Sequence, residues 1–140
     1  MEQSVQEDLF QTPNDIRLGV VGLGYVGLPL AVAFGRVFPT VGFDISDTRI
    51  RALRDGLDAT QEVSRQQLAD SSLLSFTTSS AELKSCNVYI VTVPTPVDGH
   101  RIPDLSPLRS ASRAIGEVLA HGDVVIYEST VYPGATEEDC

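Results

Sequence analysis

Three glycines and one aspartate carry the first chemical signal in this chain. The segment Gly22-Leu23-Gly24-Tyr25-Val26-Gly27 is a G-x-G-x-x-G. Each glycine has its own job. Gly22 permits a tight turn, Gly24 lets bare backbone approach a pyrophosphate, and Gly27 lets a following helix pack close to the preceding strand. A helix opening there offers N–H groups and its positive dipole end to phosphate oxygens. The pattern also fits a tight strand-to-helix turn with no ligand. Context strengthens it: the motif follows an apolar run at 16–21 and opens an Ala-rich stretch inside a β-α-β unit. Asp44 falls 20 residues after Gly24, at the end of the next apolar run. A carboxylate there can accept both hydroxyls of an adenosine ribose and would repel a 2′-phosphate, which favours NAD over NADP. The plainer reading of Asp44 is a strand-end Asx turn. Arg49, a helical turn beyond, has three readings: over the adenine, facing the pyrophosphate, or solvated at the surface.

Nucleophiles are scarce. The two cysteines are Cys86, just before an apolar run, and Cys140, the last residue. Neither spacing forms a metal site or a disulfide framework, and a reduced cytoplasmic setting is the simplest reading. The remaining polar groups with chemical potential sit in two loops, at 94–99 with Thr95 and at 128–134 with Glu128, Ser129 and Thr130.

The elements that must position these groups alternate between apolar runs and helical patterns, the mark of a parallel sheet covered by helices. Strands are predicted at 16–21, 40–44, 74–77, 88–93 and 124–127. The first helix should run to about Val37. Ser46 or Asp47 should cap a second helix carrying Ile50, Leu53 and Leu57 on one face. Residues 61–70 read as a short helix, and Ser79 with Glu82 has capping-box spacing for another over 80–85. Asp104 or Ser106 opens a helix with Pro107 in its first turn and Leu108, Ala111, Ile115 and Val118 as its buried stripe. Gly122 suits its C-terminal cap, and a last helix starts near Ala135. The predicted fold is α/β, a Rossmann-type doubly wound parallel sheet of about five strands, stopping before a sixth. In such sheets ligands bind beyond the carboxyl ends of the strands, where all the loops named above fall.

Composition narrows the partners. The 140 residues are 42% hydrophobic, enough for a core, and carry a formal charge of −9. That balance argues against nucleic acid and against an anionic membrane surface. No apolar run approaches the ~20 residues that span a bilayer. Residues 1–15 hold four acidic and no basic residues and no apolar core of a signal peptide. They read as a flexible leader, with Leu9 and Phe10 able to dock on the domain at 16–140.

The motifs VVGLGYVGLPLA, VGFD, YIVTVPTPVD, PDLSPL and GDVVIYESTVYPGATEE occur in this order between residues 16 and 140. Together they resemble the UDP-glucose/GDP-mannose dehydrogenase family. Within it, the Tyr132-Pro133-Gly134 form of the last loop is similar to the branch acting on UDP-N-acetylhexosamines, UDP-N-acetylglucosamine among them. The resemblance implies oxidation of a sugar C6 alcohol to a uronic acid for surface polysaccharide synthesis. It implies two NAD per turnover and a covalent thiohemiacetal and thioester on a downstream cysteine. Carried over residue by residue, Gly22, Gly24, Tyr25, Val26 and Gly27 form the phosphate cradle, and Asp44 is the ribose acid. Arg49 is a basic residue near the adenosine. Val93, Pro94 and Thr95 run past the cofactor, and Ser129 and Thr130 lie near the nicotinamide, Thr130 orienting a water at the reacting carbon. Tyr25 also fits an ordinary helix-start aromatic, Thr95 a simple Pro-containing turn, and Glu128 and Thr130 plain loop positions. The chain departs from the family in lacking the Gly-rich cysteine segment, the downstream lysine, the dimerisation helix and the sugar-nucleotide domain. It therefore reads as an excised domain or a truncated gene product, inactive by itself, whose full-length form binds a nucleotide sugar and is a homo-oligomer.

Two other classes remain open at this point. One is a stand-alone NAD- or nucleotide-sensing module without catalysis. The other is a methyltransferase binding S-adenosylmethionine, which the complete G-x-G-x-x-G and the STVYPG loop disfavour. The ribose acid generates a direct prediction. A charged hydrogen bond is worth roughly 1.5–3 kcal/mol, so Asp44→Ala should weaken NADH binding about 10- to 100-fold. Calorimetric titration should also show the wild type preferring NADH to NADPH; equal affinity for the two would contradict the assignment.

Overall fold

The run Leu18–Val21 is buried at all four residues, as a strand needs to be when it has neighbours on both sides and layers on both faces. The computed structural model describes residues 12–129, 135–138 and 140. Within them, β1 (Leu18–Val21), β2 (Thr40–Phe43), β3 (Leu74–Thr77), β4 (Val88–Val91) and β5 (Val124–Tyr127) form one parallel sheet in the order β3-β2-β1-β4-β5. The order reverses at β1, and β1 and β4 lie side by side with Leu18 opposite Val88 and Val21 opposite Val91. This is the doubly wound Rossmann arrangement expected from the sequence.

The helices are α1 (Gly27–Phe34), α2 (Asp47–Arg54), α3 (Arg65–Asp70), α4 (Ser106–Gly116) and α5 (Ala135–Glu138). Adjacent residues of β1 point to opposite faces. Val20 packs with Leu28, Ala31, Ile50 and Leu53 under α1 and α2. Val21 packs with Phe43, Tyr89, Leu108, Ala111 and Ile115 under α4. A third cluster joins Leu18, Val88 and Ile90 to Leu30, Phe34 and Phe38. None of the described helices is long and apolar enough to cross a membrane.

Local chemistry sets most of the boundaries. Ser46 caps α2 by accepting the Arg49 N–H, one of the two caps expected. Ser64 and Gln67 form a reciprocal capping box at α3, so that helix starts at Arg65 rather than at 61. Asp104 Oδ1 accepts the Ser106 N–H at the start of α4, and Pro107 falls in its first turn. Residues 13–15 form a 3-10 turn closed by Asp15 and tied to Asn87 through the Asp15 carbonyl. The proposed docking of Leu9 and Phe10 lies outside the described residues.

Several expected boundaries are corrected. The first helix ends at Phe34, and Val37 is exposed. Leu57 is exposed because α2 stops at Arg54 and Gly56, at φ +79°, turns the chain away. Residues 80–85 form a 3-10 turn in which Glu82 N–H reaches the Ser79 carbonyl, with no side-chain cap. Gly122 does not cap α4, which ends at Gly116; it sits at φ +90° in the turn before β5. β4 stops at Val91, so Thr92 and Val93 run past the sheet edge. These placements separate core from surface. Leu108→Ala should cost ~2–5 kcal/mol of stability, whereas Leu57→Ser should change it by less than ~0.5 kcal/mol. Urea unfolding midpoints for the two variants check the contrast.

Candidate functional site

The carboxyl ends of β1, β2 and β4 open onto one cavity of about 930 Å³, a size suited to a cofactor-sized ligand. Gly22, Gly24, Tyr25 and Val26 form one wall, Asp44 and Ile45 a second, and Val93, Pro94 and Thr95 a third. The α4 side is lined by Pro107, Ser110, Ala111 and Ala114, which share one helical face of small residues.

The turn from β1 to α1 is tightly constrained. Gly22 sits at φ +100°, where side-chain-bearing residues are strained. A Cβ at Gly27 would run into the Gly22 carbonyl oxygen and the Thr92 hydroxyl. Those two groups are themselves joined, Thr92 Oγ1 donating to Gly22 O at 2.6 Å. Gly24 is the opposite case: a Cβ there would meet nothing within 4 Å. Its bare backbone faces open space at the cavity wall, where a long anionic ligand can lie against it.

Asp44 stands just beyond β2. Its Oδ2 accepts the Leu23 N–H at 3.0 Å and its Oδ1 the Ser46 N–H at 2.9 Å. The Asx turn is therefore real, and the same carboxylate lines the cavity. Asp104 and Glu128 line it too, with no Lys or Arg among the described lining residues. Hydrogen bonds from the Ser106 hydroxyl and N–H hold the Asp104 carboxyl below the usual carboxylate range.

Arg49 is held by the protein itself. It is absent from the cavity lining, and its side chain is only 12% exposed. Nε and Nη2 fork onto the Leu23 carbonyl oxygen at 3.0 and 2.7 Å, and Nη1 pairs with Asp58 at 2.7 Å. The Leu23 peptide carbonyl and Asp58 between them hold the guanidinium, which is largely shut away from solvent.

Ser129 is outside the cavity lining, but its hydroxyl donates to the Val93 carbonyl at 3.0 Å and so braces the third wall. Thr130 and Tyr132-Pro133-Gly134 lie outside the described residues. Cys86 precedes β4 at the amino edge of the sheet, away from the cavity, with Sγ 3.3 Å from the Leu18 carbonyl oxygen. Burial pushes its thiol pKa up, leaving it neutral and a poor nucleophile. Beside it, burial pushes the Tyr89 hydroxyl up to about 12, and that hydroxyl reaches the Leu83 and Cys86 carbonyls. Among the described residues no group of three or more His, Cys, Asp or Glu could hold a metal.

Sequence reasoning missed three contributors. Thr92 falls inside the predicted strand 88–93, but it stands one residue past the buried run, and that place is the signal that marks it. Ile45 is 88% exposed at the cavity wall, an apolar residue directly after the acid. On α4, Ser110 and Ala114 join Pro107 and Ala111 on the cavity side, a face of small residues that carries no hydrophobic period of its own.

The arrangement suits a dinucleotide: bare backbone at Gly24, the amino end of α1 above it, and a carboxylate at the end of β2. Residues 16–140 match the sequence model described as UDP-glucose/GDP-mannose dehydrogenase family, NAD binding domain. The chain is 62% identical over 127 residues to the UDP-N-acetyl-D-glucosamine 6-dehydrogenase of Pseudomonas aeruginosa, covering 91% of this chain and 30% of that protein. It is 49% identical over 127 residues to the enzyme of that name from Salmonella typhi, again with 91% and 30% covered. The solved structure of UDP-D-ManNAc dehydrogenase from Pyrococcus horikoshii superposes with a TM-score of 0.81 at 38% identity, over 88% of this chain and 30% of that one. The chain thus spans about 30% of the length of these relatives. Strand order, glycine turn, the carboxylate beyond β2 and family match agree: the chain belongs to the UDP-glucose/GDP-mannose dehydrogenase family, as its NAD-binding domain.

Proposed function

We propose that this chain is the cofactor-binding part of an NAD-dependent UDP-sugar 6-dehydrogenase. The substrate is a UDP-N-acetylhexosamine, oxidised at its C6 alcohol to the uronic acid for surface polysaccharide synthesis in the cytoplasm. The observation that carries the reading is the cavity at the carboxyl ends of β1 and β4, lined by Gly22, Gly24 and Asp44. The 62% identity to a UDP-N-acetyl-D-glucosamine 6-dehydrogenase supports the sugar class. Bound NAD supplies the hydride acceptor. The chain's own residues bind and orient it: Gly24 and α1 take the pyrophosphate, Asp44 the adenosine ribose, and Val93, Pro94 and Thr95 flank the nicotinamide half. Thr130 orients a water near the reacting carbon.

Aldehyde oxidation to the acid calls for a nucleophile that forms a covalent adduct, and Cys86 is buried at the far edge of the sheet. The 140-residue chain should therefore bind NADH yet give no NADH production with NAD and UDP-N-acetylglucosamine, UDP-glucose or GDP-mannose. Joining it to the sugar-nucleotide region should produce activity, greatest with UDP-N-acetylglucosamine. Absorbance assays decide this: turnover by the chain alone, abolished by Cys86→Ala or Cys140→Ala, would place the nucleophile here instead.

The assembly proposed is a homo-oligomer. β5 pairs only with β4 among the described strands, and Ile126 is exposed on it. Open strand edges beside apolar side chains invite pairing. Sedimentation should show concentration-dependent self-association of the chain; a monomer at all concentrations would refute the proposal.

A further inference from the structure

The loop between α2 and α3 contains a carboxylate that the cofactor reading leaves unused. The Asp58 side chain has no exposed surface. It accepts from Arg49 Nη1, the Thr60 N–H and hydroxyl, and the N–H groups of Glu62 and Val63, all at 2.7–3.0 Å. Burial raises its pKa, but the hydrogen bonds from Thr60, Arg49 and Val63 outweigh that and hold the carboxyl well below its ordinary range. The loop is wound closely enough around it to keep Gln61 at φ 56°, a backbone state that persists only where surroundings enforce it.

That anchored carboxylate holds one end of Arg49, and the other end forks onto Leu23 O. Three consecutive backbone groups of the glycine turn are thus held by side chains. Gly22 C=O accepts from Thr92, Leu23 N–H donates to Asp44, and Leu23 C=O accepts from Arg49. In a planar trans peptide the carbonyl and the following N–H point in opposite directions. With Leu23 C=O turned to Arg49, the Gly24 N–H is directed away from it, and Gly24 lines the cavity. A peptide flipped the other way would aim a carbonyl oxygen where phosphate oxygens must lie.

We propose that Asp58 is a positioning residue for the dinucleotide site: by holding Arg49, it fixes the Leu23–Gly24 peptide so that an N–H rather than a C=O faces the pyrophosphate. Asp58 touches no ligand itself. The inference rests on the NAD-binding reading for its consequence but not for its geometry.

The test compares the 140-residue chain with its Asp58→Asn and Arg49→Lys variants. NADH affinity is measured by calorimetry. Amide hydrogen exchange of Leu23 is measured without cofactor, with Val20 and Val91 in the sheet as references. Both variants should bind NADH roughly 5- to 20-fold more weakly. Leu23 should exchange about tenfold faster or more, with Val20 and Val91 unchanged. A merely structural role would move all three amides together, and that result overturns the proposal. So does a folded variant whose NADH affinity and Leu23 exchange stay within about twofold of wild type. If Asp58→Asn fails to fold, Arg49→Lys decides by the same readouts. If the wild type binds no NADH, the cofactor reading fails, and Leu23 exchange alone decides whether Asp58 holds the turn.

Discussion

The close approach at Gly27 is the contact on which the rest of the site depends. Strand β1 can pass into α1 this abruptly only because no side chain stands between Gly27, the Gly22 carbonyl and the Thr92 hydroxyl. The abrupt turn puts the amino end of α1 over the sheet edge while its apolar side, Leu28, Ala31 and Val32, still lands on β1. A wider turn would lift the helix and separate the two jobs. Thr92 links the turn to the end of β4, so the two paired strands that flank the cavity are also tied together beyond their carboxyl ends.

Electrostatics then select the ligand. With Asp44, Asp104 and Glu128 at its walls, the cavity offers no cationic side chain to an anion among the described residues. What attracts a pyrophosphate is the backbone, through N–H groups and the dipole of α1. That attraction is local and falls off within the first turn. It can serve a pyrophosphate lying against Gly24, while a 2′-phosphate beside Asp44 would meet a carboxylate. The overall charge of −9 is compatible with binding an anion because the field that matters is set within a few ångströms.

Much of this was legible in the sequence, for identifiable reasons. The buried runs of β1 and β4 and the spacing from Gly24 to Asp44 are dictated by one dense pattern, so strand order and cavity followed from it. β3 and β5 kept the bounds 74–77 and 124–127 because turn residues flank them closely. The misplaced parts turn on local backbone geometry in two cases and on a contact distant in sequence in the third. Leu57 fits the period of α2, yet Gly56 ends that period before it counts. Ser79 and Glu82 have the spacing of a capping box, but the turn is 3-10 and its backbone satisfies itself. Arg49 has the position of a ligand contact, and only the folded chain shows that the Leu23 carbonyl and Asp58 reach it first.

Asp44 and Asp58 show why residue type alone could not separate the two roles. A carboxylate has about four acceptor positions. Asp58 receives five donors and is shut away from solvent, so nothing remains for a ligand. Asp44 receives two, both from backbone N–H groups, and stands at the cavity wall. About two positions remain, the number a ribose with two vicinal hydroxyls would use. The two backbone bonds also aim it, since an acid fixed by Leu23 and Ser46 cannot swing away. The saturated carboxylate holds the loop and the half-satisfied one stands at the cavity wall with acceptor positions open, with Leu23, bonded to Asp44 through its N–H and to Arg49 through its C=O, as the residue between them.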